Sequence, residues 1–216
     1  MRKGRVVPAA VVAALAMAAT SITPATAGPR PVRGPGELIV EIASIKGSGC
    51  AAGSVSVAVT DDAEAFAVTY NDYMAQAGGS SKPTDARRNC QLVLKLHVPR
   101  SWTYAFSSTD LRGYALLGRG VKGLHKEGHS LQGHSDTWMI PYEVNGPYDG
   151  NWSFTDSAPG DQLVFKRCGE DGGVNIHTEL RVYKRSANQP EVSFMTMGSV
   201  DNSLSTTYRM AWKRCP

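Results

Sequence analysis

The chain predicts an all-β fold, an antiparallel β-sandwich of about a dozen short strands held by two disulfides. Three observations predict it. Apolar and polar residues alternate with a period of two in segment after segment, and clusters of Gly, Pro, Asp and Ser separate those segments. No stretch carries the 3.6-residue period of a strong amphipathic helix. A closed β-barrel satisfies the same pattern and is the alternative.

The clearest strand is Asn89 to Pro99, where Leu92, Leu94, Leu96 and Val98 alternate with Gln91, Val93, Lys95 and His97. Such a segment buries one face, and Pro99 closes it because a proline nitrogen donates nothing to a ladder. Before it, Leu38, Val40 and Ile42 share one face, ahead of the turn Lys46-Gly47-Ser48-Gly49. Val55, Val57 and Val59, then Phe66, Val68 and Tyr70, form a hairpin about Asp61-Asp62. These acids with Glu64 fall far short of a twelve-residue EF-hand loop and read as a solvated turn. Ala75 to Ala86 has no period and reads as a surface loop.

After Pro99, Trp102, Tyr104 and Phe106 share a face and read as core, and Leu111 to Leu117 follows across Thr109-Asp110. Val121 to Lys126 and Ser135 to Glu143 flank Glu127 to His134, which reads as a connecting loop. The turn Gly146-Pro147-Tyr148-Asp149-Gly150 leads to Trp152 and Phe154, and Leu163 to Lys166 is short and apolar. Val174, Ile176, Leu180 and Val182 form a second clear strand. Val192 and Phe194, then Leu204, Thr206, Tyr208, Met210 and Trp212, read as a C-terminal hairpin.

The N-terminus sets the compartment. Arg2, Lys3 and Arg5 precede an Ala-, Val- and Leu-rich run from Val6 to Ala19, and Ala25-Thr26-Ala27 supplies a small-x-small cleavage pattern. Residues 1–27 are therefore expected to be a signal peptide, residues 28–36 a mobile Pro/Gly leader, and residues 37–216 one secreted domain. The apolar run is shorter than the roughly 20 residues of a membrane span, and no later segment matches one. Loss of Arg2, Lys3 and Arg5 lowers the net charge from +4 to +1. A nearly neutral chain whose nearest basic features are the pairs Arg87-Arg88 and Lys213-Arg214 gives no footprint for nucleic acid.

All four cysteines, Cys50, Cys90, Cys168 and Cys215, lie in the exported part, an even number suited to an oxidising compartment. None forms a C-x-x-C pair, so zinc-ribbon and thioredoxin readings lack their spacing. Of three possible connectivities, sequence order favours Cys50 with Cys90 and Cys168 with Cys215. No cofactor is expected. His125, His129 and His134 invite a metal reading, but their spacings do not match an H-E-x-x-H helix; on a strand His125 and His129 share a face and His134 points away.

Gly47-Ser48-Gly49-Cys50 with Gly53-Ser54-Val55-Ser56-Val57, Asp85-Ala86-Arg87-Arg88-Asn89-Cys90-Gln91-Leu92, Arg112-Gly113-Tyr114, Gly146-Pro147-Tyr148-Asp149-Gly150 and Trp212-Lys213-Arg214-Cys215 together resemble domain-of-unknown-function family 4360. Its members are small secreted proteins of bacteria and fungi. The likeness runs through nearly the whole mature chain in order. It implies a secreted, cysteine-bearing, β-rich domain, and it brings no activity or catalytic residues with it.

No G-x-S-x-G elbow is present, and Ser, His and Asp occur in any chain of this length. The expectation is a non-catalytic extracellular module that binds a polysaccharide or cell-envelope component through Tyr148, Asp149 and Trp152, an aromatic surface beside a carboxylate at an exposed turn. The alternatives are a secreted hydrolase and an inhibitor or toxin-like factor whose partner is a secreted protein. Asn151-Trp152-Ser153 also fits an N-glycosylation sequon.

Overall fold

The computed structural model describes residues 32–133, 139–184, 190–198 and 205–216. Two open antiparallel sheets, not a closed barrel, pack face to face. The smaller contains β1 (Ile39–Lys46), β5 (Arg87–His97), β10 (Gly172–Tyr183), β7 (Lys122–Leu131) and β8 (Ile140–Asn145) in that spatial order. The larger runs β2 (Val55–Val59), β3 (Ala65–Tyr70), β12 (Thr206–Arg214), β6 (Trp102–Leu117), β11 (Ser193–Met197) and β4 (Met74–Ala77), and β9 (Tyr148–Ser157) pairs with the other edge of β6.

The alternating segments form these strands because each has one apolar row to bury. Leu92, Leu94 and Leu96 of β5, Val174, Ile176, Leu180 and Val182 of β10, and Tyr208, Met210 and Trp212 of β12 all enter the space between the sheets. Phe66 stacks on Tyr208 at 5.1 Å, and Tyr104 meets Trp212 edge-on at 6.0 Å. Cys50 is joined to Cys90 and Cys168 to Cys215. The first bond ties the turn after β1 to the start of β5. There Gly49 N–H donates to the Asn89 carbonyl at 2.8 Å, and Ser48 Oγ donates to Asn89 Oδ1 at 2.9 Å. A side chain on Gly49 would stand 2.1 Å from the Tyr73 ring, so the close approach requires glycine.

Five segments differ from their expected form. Trp102 to Leu117 is one strand, not two. Ser107 is an extra residue opposite the Arg209/Met210 step of β12, and this bulge reverses the parity. Trp102, Tyr104 and Phe106 face inward before it; Thr109, Leu111, Ala115 and Leu117 do so after it. Glu127 to Leu131 is not loop but the second half of β7, and His134 lies outside the described residues. Ala75 to Ala86 is not a free loop either. Ala75 and Ala77 are buried in β4, and Pro83–Ala86 makes a 3-10 turn. The C-terminal segments β11 and β12 form no hairpin; β11 lies between β4 and β6, and β12 between β3 and β6. Within the expected leader, of which residues 28–31 lie outside the described residues, Gly34 N–H donates to Glu64 Oε1 at 2.7 Å, and a β-carbon added there would stand 2.6 Å from the Trp212 indole.

Candidate functional site

Strand β9 places the expected ligand residues on both sides of the larger sheet. Side chains alternate along it, so Tyr148, Trp152 and Phe154 turn inward while Asp149, Asn151, Ser153 and Thr155 turn outward. Trp152 is 3% exposed. Its indole packs over Gly113 of β6, where an added β-carbon would come within 2.3 Å of the ring, and it lies 5.4 Å from the His125 imidazole. The aromatic platform expected at Trp152 is thus part of the core. Tyr148 is half-buried against that core, and its hydroxyl donates to the Asn151 carbonyl at 2.6 Å. Of the three residues only Asp149 faces solvent.

The outer face around Asp149 is assembled by register from β4, β11, β6 and β9. Met74 pairs with Thr196, Thr196 with Tyr114, and Tyr114 with Asn151; alongside run Gln76, Phe194, Leu116 and Asp149. The rings of Tyr114 and Phe194 lie 5.9 Å apart and inclined by 32°. Tyr114 donates its hydroxyl to Asp149 Oδ1, and this bond raises the phenol pKa because the neutral phenol is the donor. Met74 and Leu116 expose 37% and 38% of their surface. The result is a sheet face with two partly exposed rings, two apolar flanks and an ordered carboxylate. Sequence reasoning missed Tyr114 and Phe194, which come from strands far apart in the chain.

Beneath this face, β7 sends His125, Glu127 and His129 into the interior. Glu127 is 1% exposed; it accepts from Tyr208 Oη at 3.3 Å and lies 3.2 Å from His129 Nδ1. His125 packs against Tyr142 and Trp152, neither ring nitrogen has a hydrogen-bond partner among the described residues, and burial pushes its pKa down to about 3. Burial likewise drives the phenols of Tyr70, Tyr73 and Tyr208 well above their ordinary value. His125 and His129 share a face but stand four residues apart on a strand, about 13 Å at 3.3 Å per residue, too far to grip one ion. Among the described residues no group of three His, Cys, Asp or Glu side chains is placed to hold a metal, and no helix is long and apolar enough to cross a membrane.

A family model described as domain of unknown function (DUF4360) matches residues 37–215. An uncharacterized secreted protein of Arthroderma benhamiae is 30% identical over 169 residues, spanning 78% of this chain and 68% of the relative.

Proposed function

The chain belongs to the DUF4360 family, and from that premise we propose that it is an exported, non-catalytic module that binds an extracellular carbohydrate on the outer face of its larger sheet. The observation that carries this reading is the Tyr114–Phe194 pair beside the hydrogen-bonded Asp149 on a face built from extended strands. A sugar offers an apolar ring face and a rim of hydroxyls. The rings and the Leu116 and Met74 flanks suit the first, and Asp149, Asn151 and Gln76 suit the second. Asp149 alone survives from the residues expected on sequence grounds; Tyr114 and Phe194 replace Tyr148 and Trp152.

Binding without cleavage is supported by the spacing of acids on this face. Asp110 also points outward, but Asp149 pairs with Leu116, six residues further along β6. The separation is about 20 Å, beyond the roughly 5–9.5 Å that glycosidic hydrolysis requires of its two carboxyl groups. Asp110 is also engaged, accepting from Thr155 Oγ1 at 2.8 Å and pairing with Arg209 at 3.3 Å. Export with cleavage after Ala27 belongs to the same reading and agrees with the secreted relative and the two disulfides. Intact mass of the protein from culture medium checks the cleavage, which a product still beginning at Met1 would contradict.

The binding test uses protein from a host that does not glycosylate, because a glycan on exposed Asn151 would cover the face. Incubation with insoluble cell-wall and plant polysaccharides is expected to retain the protein on at least one glycan, with no reducing sugar released. Sugar release would establish a hydrolase instead, and retention on none would overturn the reading in favour of a protein partner.

A further inference from the structure

A second recess lies away from the outer sheet face, where β5 ends and β10 begins. It is a cavity of about 420 Å³, within the range of small-ligand sites, and its wall includes Lys95, Arg100, Trp102, Gln132, Lys166 and Asp171. Lys166 is the unusual member. It is only 8% exposed, and its Nζ donates to the carbonyls of Arg167 and Glu170 at 2.9 and 2.5 Å. Among the described residues no carboxylate lies within ion-pair distance of that ammonium. A buried charge is ordinarily matched by an opposite one, because dipoles alone replace its lost hydration incompletely.

The main chain that carries Lys166 is also held in place. Lys166 N–H donates to the Tyr104 carbonyl at 2.9 Å, Thr103 Oγ1 donates to the Lys166 carbonyl, and the Cys168–Cys215 bond anchors the following residues. Lys95 and Arg100 add two exposed cations with no ion pair of their own among the described residues. Glu170, also on the wall, is drawn toward Arg167 at 3.7 Å, and Asp171 remains as an acceptor. With Glu170 met by Arg167, the cations Lys95, Arg100 and Lys166 face Asp171 alone, so the recess is net positive.

We propose that this cavity binds the carboxylate of an acidic sugar. The positive recess attracts an anion, and Asp171 on its wall repels a phosphate dianion more strongly than a carboxylate monoanion. The carboxylate completes the charge balance at Lys166, with Arg100 and Lys95 at the mouth, and the sugar hydroxyls donate to Asp171 and exchange hydrogen bonds with Gln132. The site stands on its own residues and does not depend on the carbohydrate face around Tyr114.

The test is a heteronuclear NMR titration of the mature protein with sodium glucuronate, with glucose as the neutral analogue of the same shape and inorganic phosphate as the competing anion. Glucuronate is expected to give saturable amide shifts confined to residues 95–102 and 166–172, weaker at higher salt, while glucose gives none there. The double variant Lys95→Ala/Arg100→Ala changes only exposed side chains, so it keeps the fold, and it is expected to raise the glucuronate dissociation constant by about tenfold. Lys166→Met is expected to abolish the shifts if it folds. Phe194→Ala should leave them unchanged, which separates this cavity from the outer face. Equal shifts with glucose, an unaltered response in the double variant, loss of the response in Phe194→Ala, or tighter binding of phosphate than of glucuronate would each overturn the proposal.

Discussion

The two faces of the β6–β9 ribbon come from the same strands and divide the work between them. Toward the interior they present Trp152, Phe154, Leu111 and Leu117, packed against a stripe of β7 that carries His125 and Glu127; toward solvent they present Tyr114, Leu116, Asp149 and Asn151. Both faces hold aromatic rings and polar groups. The difference lies in what those groups can reach. Where the inner face meets β7, the Trp152 indole N–H and both His125 nitrogens have no hydrogen-bond partner among the described residues, so this face contributes packing and is sensitive to any added charge. On the outer face Asp149 and Asn151 are exposed, and one hydrogen bond fixes the Tyr114 ring.

The largest expected difference between the faces is in stability. Trp152→Ala should cost about 3–5 kcal/mol, because the ring fills the space over Gly113 and beside His125 and Phe154. Phe194→Ala, on the outer face, should cost no more than about 1.5 kcal/mol. Urea midpoints of the two variants check this, and equal losses would erase the distinction.

A second difference is in pH response. The His125 pKa is about 3 in the fold against an ordinary 6.5. Between those values the unfolded chain holds a proton that the folded one refuses. The stability this group allows is therefore complete above about pH 6.5, declines as pH falls, and reaches its floor near pH 3. The loss at pH 5 is about 2 kcal/mol. His129 and Glu127 lie nearby, so the quantity to measure is the difference between the chain and His125→Phe, which keeps the stack and has no proton to take up. A parallel fall in both proteins between pH 7 and pH 5 would contradict the assignment to His125.

The smallest effect belongs to Tyr114→Phe. It removes only the hydroxyl that orders Asp149, so stability should change by less than about 1 kcal/mol while glycan affinity falls by about threefold. Adsorption isotherms resolve a change of that size, and unchanged affinity would show that the ordered carboxylate plays no part.

How much of this was legible in the sequence depends on what each strand buries. β5, β10 and β12 read cleanly because Leu92, Ile176 and Tyr208 alternate with polar residues. The second half of β7 is hidden because Gly128 and Gly133 read as loop residues and its inward row, Glu127 and His129, is polar. β6 was split in two because the bulge at Ser107 reverses the alternation within one strand. The period of two already separates Asp149 from Tyr148 and Trp152. The turn signal of Gly146, Pro147 and Gly150 conceals that parity, since β9 begins at Tyr148. The meeting of Tyr114, Phe194 and Asp149 depends on the order β11, β6, β9, and no local pattern encodes that order.

The claim that the outward face carries the ligand is tested most directly by comparing two variants on a polysaccharide that retains the protein. Trp152→Phe keeps an aromatic core residue, and Phe194→Ala removes an outer ring. With folding of both verified by circular dichroism, Phe194→Ala should weaken adsorption by about tenfold and Trp152→Phe should stay within about twofold of the unaltered chain. Adsorption lost in Trp152→Phe and kept in Phe194→Ala would place the ligand elsewhere and contradict the account.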